Sequence, residues 1–134
     1  MTLGTLLADL ESAVLLYLTK NEWEIIRLAY QMAERAHEGQ LRQSGKPYIM
    51  HPLSVAIILA SMKQDCDTIC AGLLHDVLED TSVTPQEIQS EFSGTVCELV
   101  QGVTKLGSIV FGSEEDAQSE NFRRLFLAIA KLFQ

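Results

Sequence analysis

Leu73-Leu74-His75-Asp76-Val77-Leu78-Glu79-Asp80 is the stretch on which the reading of this chain turns. On a helix, neighbouring residues point about 100° apart and residues four apart nearly eclipse. His75 then stacks with Glu79 and Asp76 with Asp80, giving two adjacent polar stripes on an otherwise apolar helix. Three carboxylates and an imidazole on such a helix are costly to bury unless each has a partner. A metal ion held between His75 and Asp76 is one such partner, because divalent cations such as Mn²⁺ accept imidazole and carboxylate together. Glu79 and Asp80, one turn further on, are then placed to orient or deprotonate water at the ion. The blander alternative is a solvent-facing acidic stripe with His75 hydrogen-bonded at its edge.

Upstream, His51 stands in Tyr48-Ile49-Met50-His51-Pro52, where a histidine next to a turn can approach another helix. His51, His75 and Asp76 together make a two-histidine, one-carboxylate set, which also suits non-haem iron, so the residue types alone do not choose the metal. The surrounding periodicity is helical almost throughout, with no alternating strand of useful length. Leu3, Leu6, Leu7, Leu10, Val14 and Leu18 form one apolar stripe. Asn21 is the expected cap of a second helix, carrying Trp23, Ile26, Tyr30 and Ala33 and stopping near Gly39. Residues 41–50 contain the turn composition Ser44-Gly45-Lys46-Pro47. Pro52 suits the first turn of a third helix reaching about Lys63. Asp65 or Asp67 caps a fourth, expected to run from Thr68 to about Asp80. Thr84-Pro85-Gln86-Glu87 has the pattern of a capping box with proline at the first helical position. Gly94 separates the short helix that follows from another reaching roughly Leu106, and helical spacing resumes from Glu114 to Phe133. The expectation is one compact all-α domain over residues 1–134.

The balance of 10 Lys plus Arg against 18 Asp plus Glu leaves a net charge of −8, which disfavours broad binding to DNA or RNA. It also repels phosphorylated small molecules unless metal or basic residues reverse the field locally. Three cysteines, Cys66, Cys70 and Cys97, do not make a secreted disulfide framework, and they read as small buried hydrophobes rather than a zinc site. Asp9 and Glu11 interrupt the N-terminal apolar stretch, which has no basic lead and falls short of the roughly 20 apolar residues of a membrane span. A cytoplasmic protein without a membrane segment is expected.

The segment Ala36-His37-Glu38-Gly39-Gln40-Leu41-Arg42-Gln43-Ser44-Gly45-Lys46-Pro47-Tyr48-Ile49-Met50-His51-Pro52 resembles the opening signature of RelA/SpoT-type (p)ppGpp hydrolase domains. Ala71-Gly72-Leu73-Leu74-His75-Asp76-Val77-Leu78-Glu79-Asp80-Thr81 is similar to that family's His-Asp motif. Leu99-Val100-Gln101-Gly102-Val103-Thr104-Lys105-Leu106 and Glu120-Asn121-Phe122-Arg123-Arg124 resemble later segments in order and spacing. The resemblance implies an all-helical HD-superfamily fold and Mn²⁺-dependent removal of pyrophosphate from the 3′ position of (p)ppGpp, leaving GDP or GTP. It implies His51, His75 and Asp76 as metal ligands, Glu79 and Asp80 as the pair that activates water, and Arg42 with Ser44 as substrate contacts. Arg42 offers a fork of donors suited to phosphate.

Two departures accompany the resemblance. Gln43 stands where relatives often carry a basic residue that packs on the guanine base. In the family, the segment matching Leu127 to Lys131 is followed by a helix with the motif LADRLHNM, which supplies a fourth metal ligand and a substrate contact. That motif is absent from the 134 residues. The expectation is therefore either a piece of a longer protein or a short chain with impaired hydrolysis. A catalytically inactive nucleotide- or protein-binding module keeping the HD fold is the alternative, and an HD-type phosphohydrolase for another nucleotide is a third. Uncovered apolar residues such as Phe122, Phe126 and Ile129 point to a homodimer through the C-terminal helix. The N-terminal stripe offers alternative cover within one chain.

Overall fold

The computed structural model describes residues 3–39 and 48–101, with Leu3, Glu79 and Asp80 described in backbone only. The expected loop carrying Arg42 and Ser44 and the expected C-terminal helix lie outside the described residues. Six helices are bounded: α1 (Leu3–Leu15), α2 (Lys20–Ala36), α3 (Met50–Ser61), α4 (Cys66–Leu74), α5 (Val77–Asp80) and α6 (Pro85–Glu91). Residues 94–101 are helical as well, and no strand occurs among the described residues. The all-α expectation holds.

α4 lies between α2 and α3, and α1 closes over α3. Its sequence explains the central position. From Cys66 to Leu74 only Asp67 escapes full burial, and a helix apolar all round has no face to give to water. Leu10, Val14, Ile26, Leu53, Leu59, Ile69, Leu73 and Leu74 interlock around it as one core. At Gly72, side chains of α3 fill the space a Cβ would take. A Cβ built there would stand 2.6 Å from Leu59 Cδ1, nearer than real Cβ contacts.

Side-chain caps fix the helix starts. The cap of α2 is Thr19, not Asn21 as the spacing suggested. Thr19 Oγ1 accepts from Glu22 N at 3.1 Å while the Glu22 carboxylate accepts from Thr19 N at 3.1 Å, the reciprocal capping box. Asp65 caps α4 by accepting from Thr68 N at 2.8 Å, so that helix begins at Cys66, two residues before the expected start. Thr84 caps α6, with Pro85 at its start as expected. Ser93 Oγ accepts from Val96 N at 3.1 Å, which makes Gly94 the first helical residue rather than a separator. α2 ends at Ala36, and Gly39 follows with φ +79°. Cys66, Cys70 and Cys97 are buried free thiols, as read from the sequence. The Cys70 thiol, hydrogen-bonded to Cys66 and buried, is held well above its ordinary pKa, which leaves it a packing group.

The close approach at Gly72 yields a test. Gly72→Val adds branches where Leu59 already crowds the backbone, and overpacking of a buried site costs about 1–3 kcal/mol. Urea unfolding should show a lower midpoint at unchanged slope; an unchanged midpoint would mean that α3 gives way freely there.

Candidate metal centre

The expected helix from Thr68 to Asp80 is not continuous. α4 ends at Leu74, the chain turns through His75 and Asp76, and α5 restarts at Val77 as a single turn. Asp76 has φ −97° and ψ −4°, the bridge region, whereas His75 keeps helical angles. On a straight helix, adjacent side chains diverge by about 100°. With the turn, His75 Nε2 and Asp76 Oδ2 stand 3.0 Å apart. The two eclipsed stripes read from the sequence are thereby replaced by a convergent corner.

His51 completes that corner from α3. It lies in the first turn of that helix rather than on the loop before it, and its Nε2 is 3.8 Å from Asp76 Oδ2. The His51 and His75 rings meet edge-on, with centroids 5.1 Å apart. One ligand atom from each of His51, His75 and Asp76 lies within 4.8 Å of the others. All three residues are buried.

Nδ1 of His75 is 2.6 Å from the carbonyl oxygen of Gly72. A carbonyl only accepts, so Nδ1 carries the proton and donates. In the neutral ring Nε2 then presents its lone pair toward Asp76 Oδ2. A lone pair facing a carboxylate is favourable only with a proton or a cation between them. A backbone-anchored second nitrogen is also the usual way a ligating imidazole is oriented. The donor set therefore fits a divalent ion, with imidazole and carboxylate supplied from two helix ends.

Burial pushes the Asp76 carboxyl pKa up, but in metal-free protein with both imidazoles protonated the charge and hydrogen bond of His75, the charge of His51 and the hydroxyl of Tyr48 together hold it well below the usual carboxylate range. Tyr48 Oη donates to Asp76 Oδ2 at 3.0 Å. The ring of Tyr48 stacks on His37, with centroids 4.4 Å apart. Sequence reasoning gave no role to Tyr48 or His37. The available signal was their place in the same segments as His51, with Tyr48 three residues before it. The structure brings together His51, His75 and Asp76. The backbone of Glu79 and Asp80 follows on α5, while Arg42 and Ser44 lie outside the described residues.

A helical bundle with a His-Asp corner in its core defines a class, and the family comparison agrees: residues 29–133 match the HD domain model. The chain belongs to the HD domain family. Within it, the sequence is 49% identical over 115 residues to a guanosine-3′,5′-bis(diphosphate) 3′-pyrophosphohydrolase of Vibrio cholerae serotype O1, covering 86% of this chain and 16% of that protein. It is 46% identical over 126 residues to the bifunctional (p)ppGpp synthase/hydrolase SpoT of Escherichia coli strain K12, covering 94% of this chain and 18% of that protein. A solved structure described as a metazoan ortholog of SpoT that hydrolyzes ppGpp matches with a TM-score of 0.56 at 33% identity, covering 60% of this chain and 47% of that one. The chain thus spans less than a fifth of the length of these two curated relatives. No described helix is long and apolar enough to cross a membrane.

The depressed Asp76 carboxyl sets a pH dependence. A folded pKa below the unfolded value means that the unfolded chain binds more protons, so this contribution to stability is present above about pH 4 and lost as pH falls below it. In metal-free protein, wild type should exceed Asp76→Asn in urea midpoint at about pH 5, and the gap should narrow steadily as the pH falls from about 4 toward 2. A gap independent of pH over that range would contradict the ionised, paired carboxylate.

Proposed function

We propose that this chain, over residues 1–134, is a hydrolase-like HD unit that removes the 3′-pyrophosphate of (p)ppGpp with a divalent metal, Mn²⁺ by preference. The observation that carries the reading is the convergence of His51, His75 and Asp76 within 4.8 Å in a buried corner. The similarity to a protein named as a 3′-pyrophosphohydrolase and to a (p)ppGpp synthase/hydrolase supports that substrate class. Bound in that corner, the ion would polarise a phosphoryl oxygen, acidify water and offset substrate charge.

The chain's own residues carry the remaining work. His51, His75 and Asp76 hold and orient the ion, and burial keeps competing water away from their donor atoms. Glu79 and Asp80, on the turn that follows, take the proton of the attacking water. Arg42 and Ser44, a few residues before His51, hold the substrate phosphates by charge-assisted hydrogen bonds. The net charge of −8 makes such local positive groups necessary for any polyphosphate ligand. Cytoplasmic residence follows from that substrate class. Pairing of two copies through the segment with Phe122, Phe126 and Ile129 belongs to the same proposal and is checked by sedimentation at micromolar concentration.

The test is pyrophosphate release from ppGpp in Mn²⁺. Wild type should turn over, and His75→Ala and Asp76→Ala should each lose more than the roughly 100-fold that removal of an outer partner costs. Release by wild type no faster than by the two variants would assign the chain to a binding role. Release from other nucleotides but not from ppGpp would place it with a different HD phosphohydrolase chemistry.

A further inference from the structure

Asp76 Oδ2 is met by more than the two imidazoles. The hydroxyl of Tyr48 donates to it at 3.0 Å, and the carbonyl of Tyr48 accepts from the backbone N–H of His51 at 3.1 Å. One residue therefore grips two members of the triad on separate elements. Its side chain holds the carboxylate that follows α4, and its backbone holds the first turn of α3. Tyr48 is itself held from a third direction. The His37 ring lies against it at 4.4 Å, inclined by 22°, and His37 is 3% exposed at the end of α2, its N–H donating to Ala33 O at 3.0 Å.

The consequence lies in one torsion. Rotation of an aspartate carboxylate about χ2 is soft and broadly distributed. A carboxylate oxygen has two lone pairs, so the Tyr48 hydroxyl can occupy one while the other faces a cation. Removal of the hydroxyl releases the rotor, and the ligand oxygen then spends less time where the two imidazoles converge. Without a flat neighbour the phenol would also be free to swing, and His37 supplies that wall.

We propose that Tyr48, braced by the stacked ring of His37, is a positioning residue that fixes the rotation of the Asp76 carboxylate and thereby sets the affinity of the site for a divalent cation. The inference rests on the metal reading of the triad but assigns a role to residues outside it. It needs no assumption about the nucleotide.

The experiment is calorimetric titration of the full metal-free chain with MnCl₂, beside thermal melts of the same metal-free proteins. Tyr48→Phe keeps the ring and its stack and removes only the hydroxyl. It should bind Mn²⁺ about 10- to 100-fold more weakly than wild type, while remaining folded with a metal-free melting midpoint lowered only by the loss of one hydrogen bond to a buried carboxylate. His37→Phe preserves a flat wall and should bind like wild type, whereas His37→Ala should weaken binding in the same direction as Tyr48→Phe. Equal affinities of wild type, Tyr48→Phe and His37→Ala would overturn the positioning role while leaving the metal site standing. A lowered melting midpoint at unchanged affinity would reduce Tyr48 to a packing residue and overturn it likewise. Wild type that takes up no Mn²⁺ at millimolar concentration would overturn the metal reading, and the positioning role with it.

Discussion

A carboxylate buried in a helical core is tolerated only where several donors meet it, and a single oxygen, Asp76 Oδ2, gathers them here. His75 approaches from the preceding residue, His51 from α3, and Tyr48 from the turn before α3. Much of the local architecture follows from satisfying that oxygen. α4 stops at Leu74, and the two side chains that follow it, His75 and Asp76, meet at that oxygen. α3 begins where His51 can reach across, and the two imidazole rings meet edge-on. Gly72 contributes the carbonyl that fixes the tautomer of His75.

The apolar surroundings and the polar corner depend on each other. Leu53, Leu73, Leu74 and Val77 are buried among the helices that carry the triad, so the ligand positions are fixed by the core rather than by loops. A site on packed helix ends loses little geometry to thermal motion, and that rigidity is what a cation-binding set requires. Low local polarity also strengthens each interaction made there while raising the cost of any charge left unmatched. An ion in the corner answers both demands, since two neutral imidazoles alone do not neutralise the carboxylate. In a chain of net charge −8, such an ion would give an anionic ligand a place of local attraction.

The helical class, the proline-led start of α6 and the buried cysteines were legible in the sequence because each rests on local chemistry. The triad was legible as residue types, but its geometry was not. Period-3.6 reasoning carries a helix straight through His75 and Asp76, whereas Asp76 meets His51 and Tyr48, 25 and 28 residues away, contacts that no local period reports. The cap of α2 was missed for a simpler reason. Thr19 and Glu22 carry the capping-box spacing, but the asparagine nearer the apolar face drew the reading two residues late. Tyr48 and His37 were invisible as partners because ring stacking between segments leaves no period in the chain. Arg42 and Ser44 rest on resemblance alone.

The most direct test of the central claim is an anomalous difference map, collected at the manganese edge from crystals grown with Mn²⁺. The account predicts a peak bounded by His51 Nε2, His75 Nε2 and Asp76 Oδ2, with Nδ1 of His75 still on the Gly72 carbonyl. A map in which that corner holds no anomalous density, while manganese sits on surface carboxylates elsewhere, would contradict it.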